Sequence, residues 1–338
     1  MNHEHPAVRP AKHAQPTNYQ LEKEYDMKKL STVSLTILAI TVATSTLWGP
    51  LASAHNSKGP LVTIDPPESI DTRAFGISPS GAVVGLYTTA DGMTHGFLFS
   101  GDEYTTIDVP GAIRTNALAI NARGDIVGRY DIGTVAHGYL LRDGELTTID
   151  FPGAAGFTVV TDIDPAGRIV GRYRGFDGKF HGFLLADGIF TTIDHFDPSG
   201  NLDMGSQGIQ GMAINASGTI AGYYQDLSGT FHAFLLDQGI YTTIDPADAK
   251  ATGGPGGILK ISPDGIVVGS YTRVDDLPAA CGCAGHGFIY RNETFTSFDV
   301  PGAQATSNTG VNPRGDIVGI YTDQSNRRHG FLAPKAAK

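Results

Sequence analysis

The chain has 338 residues, of which 17% are charged, and its formal net charge at pH 7 is −10. An acidic surface repels phosphate backbones and anionic membranes, so we expect no nucleic-acid partner. The sequence contains 44 glycines, with runs of Thr, Ile and Val between them. This composition favours short strands and tight turns over helices.

The N-terminal region carries the pattern of a cleavable export signal. Lys28 and Lys29 precede an apolar core, and Ala52-Ser53-Ala54 provides a small-residue cleavage site. The core is shorter than the ~20 apolar residues of a membrane span. We therefore expect a periplasmic or extracellular mature protein with no membrane span, and we interpret Met27 as the natural start. The predicted divisions are an N-terminal extension (1–26), an export signal (27–54), a linker (55–60), one domain (61–333) and a tail (334–338).

Three motifs recur six times in a fixed order along the predicted domain. They are T-x-I-D, I-N-x-x-G-x-I-V-G-x-Y and H-G/A-F. The glycine of V-G-x-Y defines repeats 1 to 6, in the order Gly85, Gly128, Gly171, Gly222, Gly269 and Gly319. Each repeat has four strand signals, which in repeat 2 are residues 117–121, 125–130, 137–141 and 145–150. Four antiparallel strands in about 40 to 50 residues are typical of a propeller blade.

The two ends of the domain are complementary. LVTID (61–65) is a fourth-strand sequence without a third strand before it, and HGFLA (329–333) is a third-strand sequence without a fourth after it. The sequence therefore predicts an all-β, six-bladed β-propeller of four-stranded antiparallel blades. The N-terminal strand 61–65 is expected to pair with the C-terminal strands and close the ring, which leaves no open edge.

The connections between strands differ on the two faces of the predicted propeller. Strands 1 and 2 are joined by a tight turn that begins with Asn, Asp or Ser and closes with Gly, as in NARG (121–124), which predicts a type I turn followed by a left-handed glycine. We call this side the turn face. The long, variable connections 195–211, 246–257 and 272–285 belong to the opposite side, the loop face. Variable loops on a rigid scaffold are common binding sites, so we expect function there.

These repeats resemble the HAF-type extracellular repeat proteins of bacteria, and His232-Ala233-Phe234 matches that motif literally. The resemblance covers about residues 61–333. It implies an exported, propeller-like protein, and it brings no activity or catalytic residues to carry over.

A histidine and an aspartate 13 residues apart recur at the ends of strands 3 and 4. A two-residue hairpin between them would place the side chains side by side on one face of the sheet. A carboxylate beside imidazole suits catalysis, but no serine or cysteine nucleophile accompanies the pair, and six equivalent copies favour structural clamps. The predicted clamps are His95 with Asp108, His137 with Asp150, His181 with Asp194, His232 with Asp245, His286 with Asp299, and His329 with Asp65 through ring closure.

Departures from the repeat are the candidates for function. On the innermost strand, small residues are expected at the position that Asp162 and Lys260 occupy in repeats 3 and 5. The predicted ligand-binding set at the loop-face end of the channel is Arg73, Asn116, Asp162, Gln210 and Lys260. The alternative is that Asp162 and Lys260 form a structural ion pair. Arg129 and Arg172, which follow the repeat glycine, are expected to pack between blades.

Cys281 and Cys283 are the two cysteines of the chain, and in an oxidising compartment they are candidates for a local disulfide. A soft-metal site is the alternative, but two sulfurs are too few, and we expect neither metal nor cofactor.

The sequence therefore favours a monomeric, exported binding module for an extracellular or envelope carbohydrate or protein. Two alternatives are a secreted hydrolase or lyase that acts on a polysaccharide at the channel mouth, and a structural envelope protein. A non-enzymatic role is favoured because no catalytic residue set was identified.

Overall fold

The structure is a computed structural model that describes residues 37–38, 61–195, 204–205, 207–254, 256–274, 276 and 285–335. In this part of the chain all regular secondary structure is β-strand. The fold is a β-propeller of four-stranded antiparallel blades, as the composition and repeats predict. No helix in the described residues is long and apolar enough to cross a membrane.

The strands form five sheets. Repeats 1 and 2 share a nine-stranded sheet: Ile37–Leu38, Ser69–Ile77, Val83–Thr89, Thr94–Ser100, Glu103–Ile107, Arg114–Ile120, Ile126–Ile132, Val135–Arg142 and Glu145–Ile149. Repeat 3 consists of Thr158–Ile163, Ile169–Arg174, Phe180–Ala186 and Ile189–Ile193. Repeat 4 consists of Ile209–Ile214, Ile220–Gln225, Phe231–Asp237 and Ile240–Thr243. Repeat 5 consists of Ala249–Thr252, Lys260–Ile261, Val267–Arg273, His286–Arg291 and Thr294–Ser297. Ala305–Val311, Ile317–Thr322 and Arg328–Ala333 form the last sheet with Val62–Ile64.

Two sheets depart from the simple four-stranded pattern. The blades of repeats 1 and 2 are joined into one sheet through a single parallel pair, Thr94 with Arg114. Ile37–Leu38 pairs with the outer strand of repeat 2, and the rest of the predicted export signal lies outside the described residues. In repeat 5 the first strand is split in two, and both pieces pair with Val267–Arg273.

Burial falls from the first strand of a blade to the fourth. Every residue of Thr158–Ile163 is buried, whereas only Ile193 is buried in Ile189–Ile193. The innermost strands are therefore covered on both faces, whereas the outer strands are largely open to solvent.

The repeat glycine has a packing reason. A side chain at Gly171 would meet the ring of Phe183 at 2.7 Å, and one at Gly222 would meet the ring of Phe234 at 2.6 Å. Both rings are fully buried. V-G-x-Y in strand 2 and the aromatic residue of H-G-F in strand 3 are thus one packing unit, and a larger residue at the glycine would displace the core aromatic.

The predicted turns are confirmed. The closing glycines of the six strand 1–2 turns all have positive φ: Gly81 (97°), Gly124 (86°), Gly167 (92°), Gly218 (95°), Gly265 (80°) and Gly315 (84°). In repeat 2, Asn121 Oδ1 accepts the backbone N–H groups of Arg123 and Asp125, which is why a short polar side chain opens the turn. Asp143 and Gly144 also have positive φ, as a type I′ hairpin requires.

The N-terminal strand pairs with the C-terminal strands. Val62, Thr63 and Ile64 lie opposite Leu332, Phe331 and Gly330 in antiparallel register. Val62–Ile64 thus occupies the outer position of the sheet that Ala305–Val311, Ile317–Thr322 and Arg328–Ala333 build.

Candidate functional site

The structure brings together every His–Asp pair of the six repeats. The Nδ1 atom of each histidine lies 2.7–2.9 Å from a carboxylate oxygen of its aspartate, including His329 with Asp65. The hairpin register explains this proximity in repeat 2, where Ile149 pairs with Gly138 and the next positions are His137 and Asp150.

A tyrosine that was not predicted from the sequence lies beside each pair. The imidazole lies against the ring of the V-G-x-Y tyrosine, with ring centroids 4.9–5.6 Å apart. In repeat 2 the hydroxyl groups of Tyr130 and Thr148 are 2.7 Å apart. The signal was present, because the strand 2–3 register places Tyr130 opposite His137. The same contact between the tyrosine and a threonine hydroxyl is present in repeats 1, 3, 4 and 6, so in these repeats and in repeat 2 strands 2, 3 and 4 are linked by one polar network.

In repeats 3 to 6 a second carboxylate approaches the other side of the imidazole. Nε2 lies 3.2–3.3 Å from Asp177, Asp226, Asp276 and Asp323 in turn. The hydrogen bond with Asp245 raises the pKa of His232 against the effect of burial, and Asp226 adds to the rise. Burial acts to lower the pKa of His181, but its hydrogen bonds with Asp194 and Asp177 outweigh burial and raise it. The imidazoles of His181 and His232 are therefore suited to hold a positive charge between two carboxylates.

Repeat 1 has the geometry closest to a catalytic triad. His95 Nε2 lies 3.5 Å from Thr89 Oγ1, and its Nδ1 contacts Asp108. Thr89 Oγ1, however, donates to Asp91 at 2.5 Å, so the hydroxyl proton is directed away from the imidazole. The arrangement is better suited to fixing the loop than to activating a nucleophile.

The five residues predicted to converge on one ligand site lie in two places. Asp162 and Lys260 lie at the turn-face end of the central channel, not at the loop-face end. They line a cavity of about 90 Å³ together with Pro79, Pro165 and other residues of the tight turns. Strand position explains the correction, because Asp162 and Lys260 immediately precede the isoleucines that lead into those turns.

Asp162 and Lys260 bind each other across the channel. Lys260 Nζ donates to Asp162 Oδ1 at 2.8 Å and to the carbonyl of Thr161 at 2.6 Å, and Asp162 Oδ2 accepts the backbone N–H of Ile214. Both side chains are about nine-tenths buried. Burial lowers the pKa of Lys260, while Asp162 opposes that shift. The geometry is that of a structural ion pair, the alternative that the sequence left open.

The other three predicted residues lie three positions earlier on their first strands than Asp162 and Lys260 do on theirs, which is about 10 Å nearer the loop face. Arg73 is paired with Asp71 at 3.0 Å. Asn116 has a buried Oδ1 without a hydrogen-bond partner among the described residues. Gln210 accepts hydrogen bonds from Arg172 and from the backbone N–H of Gly256.

Two arginines at the loop-face end of the channel, for which the sequence predicted only packing between blades, make contacts with aromatic rings. Arg129 and Arg172 both lie over the ring of Phe157, with Cζ 4.8 and 5.5 Å from its centroid, and Arg172 also lies 4.8 Å from the centroid of Phe180. Burial, with a smaller effect of nearby Arg129, lowers the pKa of Arg172 to about 10. We call Arg129, Phe157, Arg172, Phe180 and Gln210 the arginine cluster.

An apolar floor lies beside the arginine cluster. Phe75, Leu86, Leu118 and Val159 are buried together, and Phe157 packs against them. The loop-face end of the channel thus combines an apolar floor with arginine and amide groups at its rim. Such a combination is typical of a ligand-binding surface.

The variable loops of the same face are only partly described. Residues 196–203 and 277–284, with the disulfide candidates Cys281 and Cys283, lie outside the described residues. Phe176, Leu227 and Val274 are exposed by 86%, 71% and 74% in the strand 2–3 connections. Within the described ranges, no group of three or more His, Cys, Asp and Glu residues is arranged to hold a metal ion.

Comparison with known proteins supports the fold alone. No protein-family model and no curated protein matches the chain. A triple arginine-to-alanine mutant of AofleA from Arthrobotrys oligospora is similar with a TM-score of 0.51 and 14% identity, over 85% of this chain and 91% of that chain. AofleA itself has a TM-score of 0.50 and 13% identity, over 84% of this chain and 91% of that one. A putative gluconolactonase has a TM-score of 0.50 and 15% identity, over 82% and 92%. At these identities the chain shares a β-propeller fold with proteins of different names.

Proposed function

We propose that the chain is an exported, six-bladed β-propeller that binds a ligand at the loop-face end of its central channel. The contacts between the first and last repeats support a closed ring. Thr309 Oγ1 of repeat 6 donates to the Ala74 carbonyl of repeat 1 at 2.6 Å. Between the adjacent repeats 3 and 4, Thr161 Oγ1 donates to the Met212 carbonyl at the same distance. A hydrogen bond of the kind that links repeats 3 and 4 is thus also present between repeats 6 and 1, which supports the proposal of a closed ring.

Export rests on the pattern of residues 27–54 and is tested separately. We expect a bacterial host to deliver the chain outside the cytoplasm with His55 as the first residue. N-terminal sequencing of the protein recovered from the periplasm or medium checks this. An unprocessed chain in the cytoplasm would contradict export and would leave the binding proposal intact.

The observation that carries the binding proposal is the amphipathic mouth. Its apolar floor and its polar rim, which includes Arg73 and Asn116, come from positions at which the repeats differ. The six His–Asp pairs, by contrast, are the same in every repeat and serve what every blade needs. We favour an extracellular or envelope carbohydrate as the ligand, since a rim of guanidinium and amide groups matches hydroxyl-rich surfaces.

A hydrolase or lyase at the channel mouth is less well supported. Such an enzyme needs a carboxyl group free to transfer a proton. Asp71 is held by Arg73 and Arg328, and Asp131 is held by Arg129. Both of these carboxylates are thus engaged in ion pairs.

A glycan array with the purified chain tests the proposed function. We expect Arg73→Ala and Asn116→Ala to weaken the signal, because both residues line the loop-face rim. Arg314→Ala is the control, since Arg314 is ion-paired with Asp316 on the turn face. A folded chain that gives no signal with any glycan, and none with a panel of envelope proteins, would instead favour the structural role.

A further inference from the structure

Repeats 2 and 3 have an arginine at the same position, but they differ in the residue that lies beside the arginine charge. Repeat 2 reads DIVGRYD (125–131) and repeat 3 reads RIVGRYR (168–174). Two residues after Arg129, on the same side of the strand, Asp131 accepts hydrogen bonds from its Nε and Nη2 at 2.6 and 2.9 Å. Two residues after Arg172, the equivalent position is Arg174. The counter-ion of repeat 2 is thus replaced by a second cation in repeat 3.

Arg172 therefore lacks a carboxylate partner among the described residues. Its one hydrogen bond there goes to Gln210 Oε1, whereas a guanidinium carries five N–H donors. Arg172 Cζ lies over the rings of Phe157 and Phe180, which position the guanidinium without using its N–H donors. A partly buried cation with unused donors and a neighbouring arginine is stabilised by an added anion.

The surroundings define the rest of the ligand. Asn116 lies opposite Arg129 in the strand pair and borders the site, but its Oδ1 is buried and is not offered to a ligand. The apolar floor continues from Phe157 to Leu118. A ligand that matches the site offers an oxyanion to Arg172 and an apolar face to the floor. Because the chain as a whole carries a net charge of −10, this match is local and does not reflect a general attraction of anions.

We propose that the arginine cluster binds the oxyanion group of an acidic saccharide, a uronate or a sulfated sugar, with Arg172 as the anchoring residue. This inference rests on the proposed binding function and names its ligand class. Arg129 is already paired with Asp131, so it does not form the main ion pair with the ligand. It helps to position the ligand and adds to the positive potential beside Arg172.

Calorimetric titration of the full chain with trigalacturonate and with a sulfated galactose trisaccharide tests the inference. We expect at least one of them to bind, and which one binds identifies the oxyanion. The fully methyl-esterified trigalacturonate, which keeps the sugar and removes the charge, is expected to bind roughly tenfold or more weakly.

Variants of repeat 3 sharpen the test. Arg172→Ala is expected to weaken binding by roughly tenfold to a hundredfold, because it removes a charge-assisted hydrogen bond. Arg174→Asp is expected to do the same by giving Arg172 the internal carboxylate that Arg129 has in repeat 2. Arg174→Ala separates the loss of the Arg174 charge from the gain of a carboxylate, and we expect a smaller change. Arg314→Ala is the turn-face control, and thermal unfolding of each variant confirms that it is folded.

Three results would overturn the inference. They are no binding of either acidic trisaccharide, equal binding of the neutral ester, and equal binding of polyglutamate, which would indicate an acidic protein partner. If neutral glycans bind and Arg73→Ala or Asn116→Ala abolishes their binding, the proposed function survives while this inference fails. If no glycan or envelope protein binds, both fail.

Discussion

The two ends of the central channel differ in the groups that contact a buried cation. At the turn face, Lys260 meets Asp162 at 2.8 Å and the Thr161 carbonyl at 2.6 Å. At the loop face, Arg172 lies against the rings of two phenylalanines and contacts a neutral amide. A charge matched within the chain stabilises the fold, whereas an unmatched charge is available to a ligand. The comparison therefore separates structural from functional departures in a repeat whose positions look alike in the sequence.

Breaking the turn-face pair should have the largest effect. Lys260→Met leaves the Asp162 carboxylate buried without its cation, and we expect a loss of about 3–5 kcal/mol in the free energy of unfolding, measured with urea. The double variant Asp162→Asn/Lys260→Met keeps an acceptor for the Ile214 N–H and should recover most of this loss. A single variant as stable as the wild type would show that the pair does not hold the strands together.

The same substitution at the loop face should behave differently. Arg172→Met removes a cation that has no carboxylate partner in the described chain, so we expect its free energy of unfolding to stay within about 1 kcal/mol of the wild type. Unfolding of this variant beside Lys260→Met measures the asymmetry of the channel directly. Equal losses at both ends would mean that Arg172 is as structural as Lys260.

A pH profile extends the comparison to the repeated His–Asp pairs. The folded pKa of His232 lies above its ordinary value of 6.5, so its contribution is complete below about pH 6.5 and is lost as the pH rises through the folded pKa. Asp226 has a lowered pKa, so its contribution is present above its ordinary value of 3.8 and is lost as the pH falls through the folded pKa. We expect His232→Ala to lower the free energy of unfolding by about 1–2 kcal/mol between pH 3.8 and pH 6.5, and by less at pH 8.

His137→Ala is the matched variant, because His137 is bonded to Asp150 and no second carboxylate is bonded to it in the described chain. At pH 5.5, His137→Ala should lower the free energy of unfolding by less than His232→Ala does, and urea unfolding measures both losses. A cost for His232→Ala that does not change between pH 5.5 and pH 8 would contradict the charged clamp.

The smallest effect is expected from Arg174→Asp. The new carboxylate would lie beside Arg172 as Asp131 lies beside Arg129, and a partly exposed ion pair of this kind adds about 0–1 kcal/mol to the free energy of unfolding. Thermal unfolding detects a gain of this size. A marked loss of stability would mean that the two repeats are not equivalent at this position.

The parts of the structure that the sequence predicts are those set by local rules. The positive φ of Gly124, the Asp143-Gly144 hairpin and the proximity of His137 to Asp150 all follow from spacing within one repeat. The turn-face partner of Lys260 does not, because Asp162 is 98 residues away and meets it only across the channel. Both residues stand out in the sequence because each places a charge where the other repeats have a small residue. Their contact with each other, however, depends on how the blades are arranged.

The arginine cluster could be predicted in part from the sequence. The contrast between Asp131 and Arg174 is visible in two aligned repeats, and it distinguishes a compensated arginine from an uncompensated one. The contribution of Phe157 was not legible, because this residue lies in the connection before Thr158–Ile163, outside the repeat motifs. Connections of this kind have no repeat partner with which to align them.

The crystal structure of the chain with trigalacturonate or the sulfated trisaccharide, whichever binds, would test the central claim most directly. We expect an oxyanion oxygen of the sugar within hydrogen-bond distance of the Arg172 guanidinium, at the loop-face end of the channel. A ligand seated instead in the turn-face cavity beside Lys260 would contradict the account, as would a ligand bound on the loop face without contact to Arg172.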